Sequence, residues 1–599
     1  MHRLLAGRIL RSADTAPMLA ARALPHTWRH LPRALSSAAT TPTRRSAPRQ
    51  RDLITALKSI SSTEELEGLV SSMRQPFSKL VWDHLITAFA KVRDLEAALR
   101  VPERMRLAGV LPDVYSYSRL ITACTRAGRW EQAVLLLDEM RSAGVQPNVI
   151  SFNAAIAACE QCGDWERALS LLDELRATDG VEPTVISFNT ALSACAKAGE
   201  LERGLALLDE MRAPGGGRVR PDVITFNTAI AACKTSGRWE QALSLLDEMR
   251  AQDEEGLRPD KISFNSVIAA CEKGEQWERA LSVLDEMRAA GIPPDVISFN
   301  AAISACAKGG EWEQALSLLD EMLVTEGVRP NVISFNAVIT ACEKGGEWEQ
   351  AVALLDEMRA TDGVQPDVIS FNAAIAACEK GGEWERALAL LDEMRAASIR
   401  PDVYSFSAAI QACAAGKQPA AALRTFEEAK RVIEPNRITI NAVLDAICAV
   451  EPHTARKLWR GGVTDGLYPD VEYVEGETPK LDLHHHSEGA GETALRWWLE
   501  ERLPDLATPS DELIVVTGTA AGARPARAAA LRKSDLGERI RRVLAQMGVP
   551  AAPPPDNPGR LILAVTQPIR ELILRSRKQG ELTKRIHEVA RRLDSRPRN

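Results

Sequence analysis

Two sets of side chains in this sequence have the types and spacing to do chemistry. The first is an asparagine that returns at near-constant intervals, as Asn153, Asn189, Asn227, Asn265, Asn300, Asn336, Asn372 and Asn441, with Ser118 and Ser407 at the same place in two further copies. A carboxamide carries a donor and an acceptor side by side, so it pairs with the edge of a nucleobase, and a single strand leaves that edge open. Asparagine also satisfies free amides at a helix start, but a serine just upstream, Ser370 in the copy around Asn372, is read as the N-cap that already does so. The second set is Asp482 with His484. Two positions apart on a strand, both leave the same face, where a carboxylate and an imidazole provide general acid–base or metal-assisted hydrolysis of a phosphodiester. His485 and His486 follow, and because neighbours on a strand alternate faces, only two of the three imidazoles share one ion.

The first set must be positioned by a repeat. Val368 to Asp402, VISFNAAIAACEKGGEWERALALLDEMRAASIRPD, recurs from Val114 to Asp470 in ten copies of 34 to 38 residues, and an eroded copy precedes them from about Lys79. The length differences lie in the linker before each proline, as in APGGGRVRP (Ala213 to Pro221) against AASIRP (Ala396 to Pro401), where insertions between packed helices cost least. Within a copy, Gly381 and Gly382 end a first helix and Trp384 opens a second. Trp384, Ala387, Leu388, Leu391 and Met394 form its apolar stripe. One hairpin cannot bury that stripe alone. Stacked hairpins can, and a period near 35 predicts an all-α solenoid with a concave groove lined by the first helices.

VISFNAAI, EKGGEWERALALLDEM and the closing GVxPD or GIxPD resemble the pentatricopeptide repeat (PPR) of organellar RNA-binding proteins, over about 390 of the 599 residues. The tetratricopeptide repeat, a peptide-binding solenoid of similar period, fits less well. It carries Trp, Gly and Tyr early in its first helix and keeps its length, whereas here the Trp opens the second helix and the length drifts.

The resemblance implies that the asparagine and the last residue of its unit jointly select one base. The pairs are Ser118 with Asn148, Asn153 with Thr184, Asn189 with Asp222, Asn227 with Asp260, Asn265 with Asp295, Asn300 with Asn331, Asn336 with Asp367, Asn372 with Asp402, Ser407 with Asn436, and Asn441 with Asp470. In that family Asn with Asp favours U, Asn with Asn favours C and Ser with Asn favours A, while Asn with Thr follows no well-behaved rule. With the amino end toward the RNA 5′ end, the implied target is A-Y-U-U-U-C-U-U-A-U. The second residue of each unit would sandwich the bases: Tyr115, Ile150, Ile186, Ile224, Ile262, Ile297, Ile333, Ile369 and Tyr404.

Residues 1 to 51 hold ten Arg, no Lys and one acid, Asp14, and read as an organelle-targeting segment. RALSSA (Arg33 to Ala38) resembles a mitochondrial processing site, which favours the mitochondrion, with a plastid as the alternative. No stretch approaches the roughly 20 apolar residues of a membrane span. The net charge is −7, so the chain after the leader carries about −16, unusual for a binder of phosphates. Lys197, Lys273, Lys308, Lys344 and Lys380, with Lys234 one residue earlier, would form a basic stripe along the first helices, or else stand solvated in their last turns, favoured by the helix dipole. Nine cysteines recur one per first helix, as core fillers rather than a metal or disulfide pattern. The CxxC of Cys159 and Cys162 has no partner ligands in the sequence. Trp130, Trp165, Trp239, Trp277, Trp312, Trp348 and Trp384 are assigned to packing rather than base stacking.

After Asp470 the period changes. Short strands are expected at Lys480 to Leu483, Glu512 to Thr517 and Arg560 to Val565, with helices at Gly491 to Leu503 and Ser534 to Met547, making a small α/β domain. LDLHHHS from Leu481, VVTG from Val515 and NPGRLIL from Asn557 resemble the Smr (MutS-related) domain that ends one subgroup of PPR proteins, some members of which are RNA endonucleases. The resemblance makes Asp482, His484, Thr517 and Gly518 the catalytic candidates. The family loop TGxG departs here, Ala520 standing for its second glycine, with Gly522 beyond. Nuclease and non-catalytic nucleic-acid binding both stay open; no cofactor is required, and a divalent metal enters only with a nuclease. From Pro568 a helix with ten Lys or Arg and four acids closes the chain.

The expected organisation is a targeting segment (1–51), N-terminal helices with a degenerate repeat (52–113), ten PPR units (114–470), an Smr-like domain (478–567) and a basic C-terminal helix (568–599). The expected function is sequence-specific binding of pyrimidine-rich single-stranded organellar RNA in processing, stability or translation, with or without cleavage. The alternative is a helical-repeat scaffold that binds a basic protein through its acidic surface, with a non-catalytic Smr domain.

Overall fold

The computed structural model describes residues 50–564 apart from 61, 73–76, 214–218, 252–256, 470, 476–477, 484–485, 503–511, 518–534, 550 and 553–559. Of the expectations above, those for the leader up to residue 49, for Asp470, His484, His485, Gly518, Ala520, Gly522 and Asn557, and for the helix after Pro568 lie outside the described residues. Two compact units divide at Ala123, within the helix Val114–Arg126.

In the first unit the eroded copy is a helical hairpin whose second arm is broken. Lys79–Lys91 is followed by Leu95–Leu99 and Val101–Leu107, with Pro102 in the opening turn of the last piece. Proline lacks the N–H that would continue the preceding helix. Trp82 and Phe89 are fully buried. Asp83 stands where later copies carry asparagine, and Ser116 Oγ donates to its carboxylate at 2.6 Å.

The second unit repeats one hairpin. Val368–Gly381 and Trp384–Ala396 stand for the rest. Gly382, at φ 76°, takes the left-handed position that closes the first helix. Phe371, Ala374, Ile375 and Cys378 of the first helix and Ala387, Leu390, Leu391 and Met394 of the second are buried; Leu388, assigned to the stripe, is only half-buried. From Val185–Ala198 to Val403–Ala415, each first helix packs on its own second helix and on the first helices before and after it. The helix begins three residues earlier than a Ser370 cap would place it. Its N-cap is Asp367, which accepts from Ser370 N–H while Ser370 Oγ accepts from Asp367 N–H, a reciprocal capping box. An aspartate or asparagine in extended conformation accepts better at this place than serine one turn inside, which corrects the assignment.

Tryptophan and glycine lock consecutive units. A Cβ on Gly381 would lie 2.5 Å from Trp348 Cδ1 and one on Gly345 2.6 Å from Trp312 Cδ1. The half-buried indoles therefore seat on glycines of the next first helix, as the packing assignment requires. Opposite them, Arg359 bonds Glu393 of the next unit at 2.9 Å and lies over Phe371, 5.4 Å from its centroid; Arg288 does the same with Glu321 and Phe299.

The chain then runs into a five-stranded sheet of order β1-β2-β3-β5-β4: β1 Glu472–Glu475, β2 Thr478–Asp482, β3 Glu512–Val516, β4 Ala551–Ala552 and β5 Arg560–Ala564. Only β2 and β3 are parallel. β1 and β4 carry no strand signal recognised in the sequence, being four and two residues long. The helices are Glu488–Trp497, extended by a wide turn Trp498–Arg502, and Asp535–Gln546. One apolar core joins this segment to the last array helices, with Trp459 and Trp498 fully buried in it.

Candidate nucleic-acid interface

The asparagine row and the unit-end row, 30 to 33 residues apart in sequence, meet. Asn189 Nδ2 donates to Asp222 Oδ1 at 3.2 Å, and the same bond joins Asn227 to Asp260 (3.1 Å), Asn265 to Asp295 (3.3 Å), Asn300 to Asn331 (3.4 Å), Asn336 to Asp367 (3.1 Å) and Asn372 to Asp402 (3.2 Å). They meet because the unit-end residue is the N-cap of the next first helix, which stacks on the helix bearing the asparagine. The serine at the third position of that helix completes a clamp. Ser263, Ser298, Ser334, Ser370 and Ser405 donate at 2.5 to 2.6 Å to Oδ1 of Asn227, Asn265, Asn300, Asn336 and Asn372. A carboxamide has two N–H donors and two acceptor lone pairs, so each clamped asparagine keeps one of each for a third group.

The pairs that deviate in sequence also deviate here. Asn153 makes no such bond to Thr184, whose hydroxyl lies 3.2 Å from Ser187 Oγ, and Asn153 Oδ1 is buried without a partner. Ser407 reaches Thr439 Oγ1 at 3.0 Å instead of Asn436, which caps the helix through Thr439 N–H. Ser118 is buried and donates to Val114 O at 2.6 Å; Asn148 caps its helix and accepts from Ser151 N–H at 2.9 Å. Asn441 is taken by another partner: Tyr468 Oη donates to its Oδ1 at 2.7 Å.

Burial alone would raise the carboxyls of Asp222, Asp295 and Asp367, but donors from Thr225, Ser298 and Ser370 and from the asparagines outweigh it and hold all three below the usual carboxylate range. They remain anionic acceptors that fix the asparagine rotamers. Beside each clamp stands an exposed apolar side chain. Ile150, Ile186, Ile224, Ile262, Ile297, Ile333, Ile369 and Tyr404 are 58 to 69% accessible, a row that water alone does not explain. Leu80 in the first unit and Ile438 near the end continue the pattern and were not singled out in the sequence; their position, second in a first helix, is the signal that finds them.

Comparison with known families gives the repeat its identity. A pentacotripeptide-repeat region model matches 70–223, PPR repeat family models 221–271 and 366–415, a PPR repeat model 262–292, and a pentatricopeptide repeat domain model 282–347 and 317–383, so that residues 70 to 415, more than half of the chain, are covered without a gap. The chain belongs to the pentatricopeptide repeat family. No curated protein matches it significantly. Among solved structures, the maize PPR protein PPR10 is similar at 20% identity over 94% of this chain and 75% of its own, with a TM-score of 0.52. PPR10 in complex with an 18-nt psaJ RNA element aligns at 20% identity and a TM-score of 0.47 over 70% of this chain, which spans 64% of that structure's length. Yeast Rmd9p in complex with a 16-nt target RNA aligns at 12% identity over 76% of this chain and 87% of its own, with a TM-score of 0.33.

Half of the basic stripe of this PPR array is paired with acids. Lys197, Lys308 and Lys380 pair at 3.0 Å with Glu160, Glu272 and Glu343 of the preceding unit, and Lys273 and Lys344 donate to backbone carbonyls, Thr235 O and Lys308 O. These lysines bridge units while their side chains stay exposed to solvent. The recurring cysteines are buried, which pushes their thiols up to about 11 or 12, as for Cys378 and Cys159, and marks packing rather than reactivity.

Of the catalytic candidates, Asp482 and Thr517 are described. Asp482 closes β2 and pairs in register with Val516, next to buried Thr517, so both lie at the C-terminal ends of the two parallel strands. That is where open parallel sheets hold ligands. Among the described residues no three His, Cys, Asp or Glu side chains gather as a metal site, and no described helix is long and apolar enough to cross a membrane.

Proposed function

We propose that this chain is an organellar, sequence-specific single-strand RNA-binding protein. Its array selects a pyrimidine-rich segment, and its C-terminal segment is an Smr-type domain acting near the 3′ side of that site. The observation that carries the reading is the clamp. Six asparagines are held by their own unit-end partners, and five of them, Asn227, Asn265, Asn300, Asn336 and Asn372, are also held by a serine and keep one donor and one acceptor spare, each beside an exposed apolar side chain. A base edge meets that spare pair, and its faces meet the aliphatic row. Because three of the six stripe lysines are ion-paired and the array is acidic, affinity rests on base contacts and the salt dependence is shallow. Asp482, at the C-terminal end of its strand beside Thr517, with His484 from the sequence, supplies the acid–base groups for phosphodiester cleavage. The Arg-rich leader places the protein in the mitochondrion; a reporter carrying residues 1–51 that stays in the cytosol would remove that part.

The test is equilibrium binding of the purified chain to labelled A-C-U-U-U-C-U-U-A-U and a scrambled control with Mg²⁺, the products run on a denaturing gel. Selective binding is expected, with any cleavage lost in Asp482→Ala. Equal binding of both RNAs, together with capture of a basic protein, would instead establish the acidic scaffold, for which the ion-paired lysines and the charge of about −16 after the leader speak.

A further inference from the structure

The tenth unit is built like a reader but finished like a terminus. Where every earlier first helix is followed by another carrying an exposed isoleucine or tyrosine at its second position, Arg437–Ile447 is followed by Glu488–Trp497. That helix packs on both Arg437–Ile447 and its hairpin partner Pro452–Thr464, the two contacts that the first helix of an eleventh unit would make. Its second residue is Gly489. A Cβ there would lie 2.6 Å from both Asp445 Cα and Leu444 O, and Gly489 N–H donates to Asp445 Oδ1 at 2.6 Å. The approach is backbone on backbone, which no side chain at this place permits.

The serine of the clamp is replaced as well. Asn441 Oδ1, which elsewhere accepts from a serine of the next first helix, accepts from Tyr468 Oη. Tyr468 is buried, its ring 4.3 Å from Trp459 and 5.2 Å from His486 between centroids, and burial holds its phenol far above the usual range, so it stays a donor. Ile438, at 47%, is the least exposed of the apolar row in this unit of the fold.

From this we infer that the tenth unit reads no base: Asn441 is a structural residue docking the C-terminal segment, and the array takes nine nucleotides, ending at the unit of Ser407. The inference rests on the RNA-binding reading for its consequence. A tenth base would have Ile438 on one face and the side-chain-free Gly489 on the other, so the sandwich that flanks each earlier base has only one wall.

The test compares the full chain on A-C-U-U-U-C-U-U-A-U with RNAs changed to G at the eighth or the tenth position, and with the nine-mer lacking the last base. The eighth-position change should weaken binding about tenfold, the scale of a lost base contact, while the tenth-position change and the nine-mer should bind within about twofold. Equal losses at the eighth and tenth positions would overturn the inference. Indifference at both would instead sink the RNA reading, and an RNA-free arm then decides the terminus alone. Tyr468→Phe should speed amide exchange across 437–447 about fivefold, the scale of one lost buried hydrogen bond, and leave 368–381 unchanged. Unchanged exchange across 437–447 would overturn the docking role.

Discussion

Inside the array one first helix meets the next through asparagine, a capping acid and a serine; at the C-terminal end the last first helix meets a tyrosine and a glycine. Both junctions stack a helix on a helix, yet only the first sets its carboxamide between two exposed apolar side chains. Repetition of a junction thus produces a continuous row of clamps and exposed apolar side chains, and its replacement ends that row. In a stack whose members touch only their neighbours, a lesion at either junction stays local, so the two can be broken separately.

The largest effect is expected from glycines at the two junctions. Gly489→Ala drives a Cβ into backbone at 2.6 Å, so it should destabilise the C-terminal segment by about 3 kcal/mol, the upper range of overpacking. Gly381→Ala meets the Trp348 ring at 2.5 Å; the ring shifts, the helix gains propensity, and the net loss should be about 1 kcal/mol. Urea denaturation followed by limited proteolysis resolves them, and equal losses would show that the end junction is no tighter than an internal one.

The next effect sharpens the internal junction. Asp367→Ala removes a cap and a clamp partner together, and should cost about 1 kcal/mol and the base preference at its nucleotide. Asp222, Asp295 and Asp367 are depressed in the folded protein, so their stabilisation is present above the unfolded value near 3.9 and is lost as pH falls through their folded values. The urea midpoint should fall below about pH 4, and the triple Asp→Asn variant should flatten that fall, since Asn331 caps its helix through the same oxygen.

How much of this was legible in the sequence follows from the same residues. The hairpins and the Trp and Cys packing come from periodicity, because each unit repeats the same local problem, whereas the pairing of Asn336 with Asp367 comes from the resemblance to the PPR repeat. The cap itself was misplaced to Ser370, since Asp and Ser are both good caps and only backbone geometry chooses. Lys308 and Lys380 read as a stripe because Glu272 and Glu343 lie 36 and 37 residues away and become neighbours only on stacking.

The smallest effect tests that last point. Glu379 lacks the lysine its counterparts have, Ala415 standing there, and burial with Glu343 beside it pushes its carboxyl up to about 7. An acid raised in the folded state costs nothing below its unfolded value near 4.5 and destabilises progressively as pH rises to about 7. Glu379→Gln should therefore be more stable at pH 8 by on the order of 1 kcal/mol, with no difference near pH 4. Ala415→Lys should recover a similar gain, and superimposable pH profiles would show the carboxylate to be solvated.

The sequence by itself determined the repeat, its register and the two recurring rows of residues, because a period of 34 to 38 residues brings every copy back to the same place on the same helix. Only the tertiary structure decided which charges cancel, which residue caps, and where the array stops. The cap and the cancelled charges depend on backbone geometry and on stacking, which bring together residues distant in sequence. The end of the array depends on contacts made once, by Asn441, Tyr468 and Gly489, which share no period and leave no pattern in the chain.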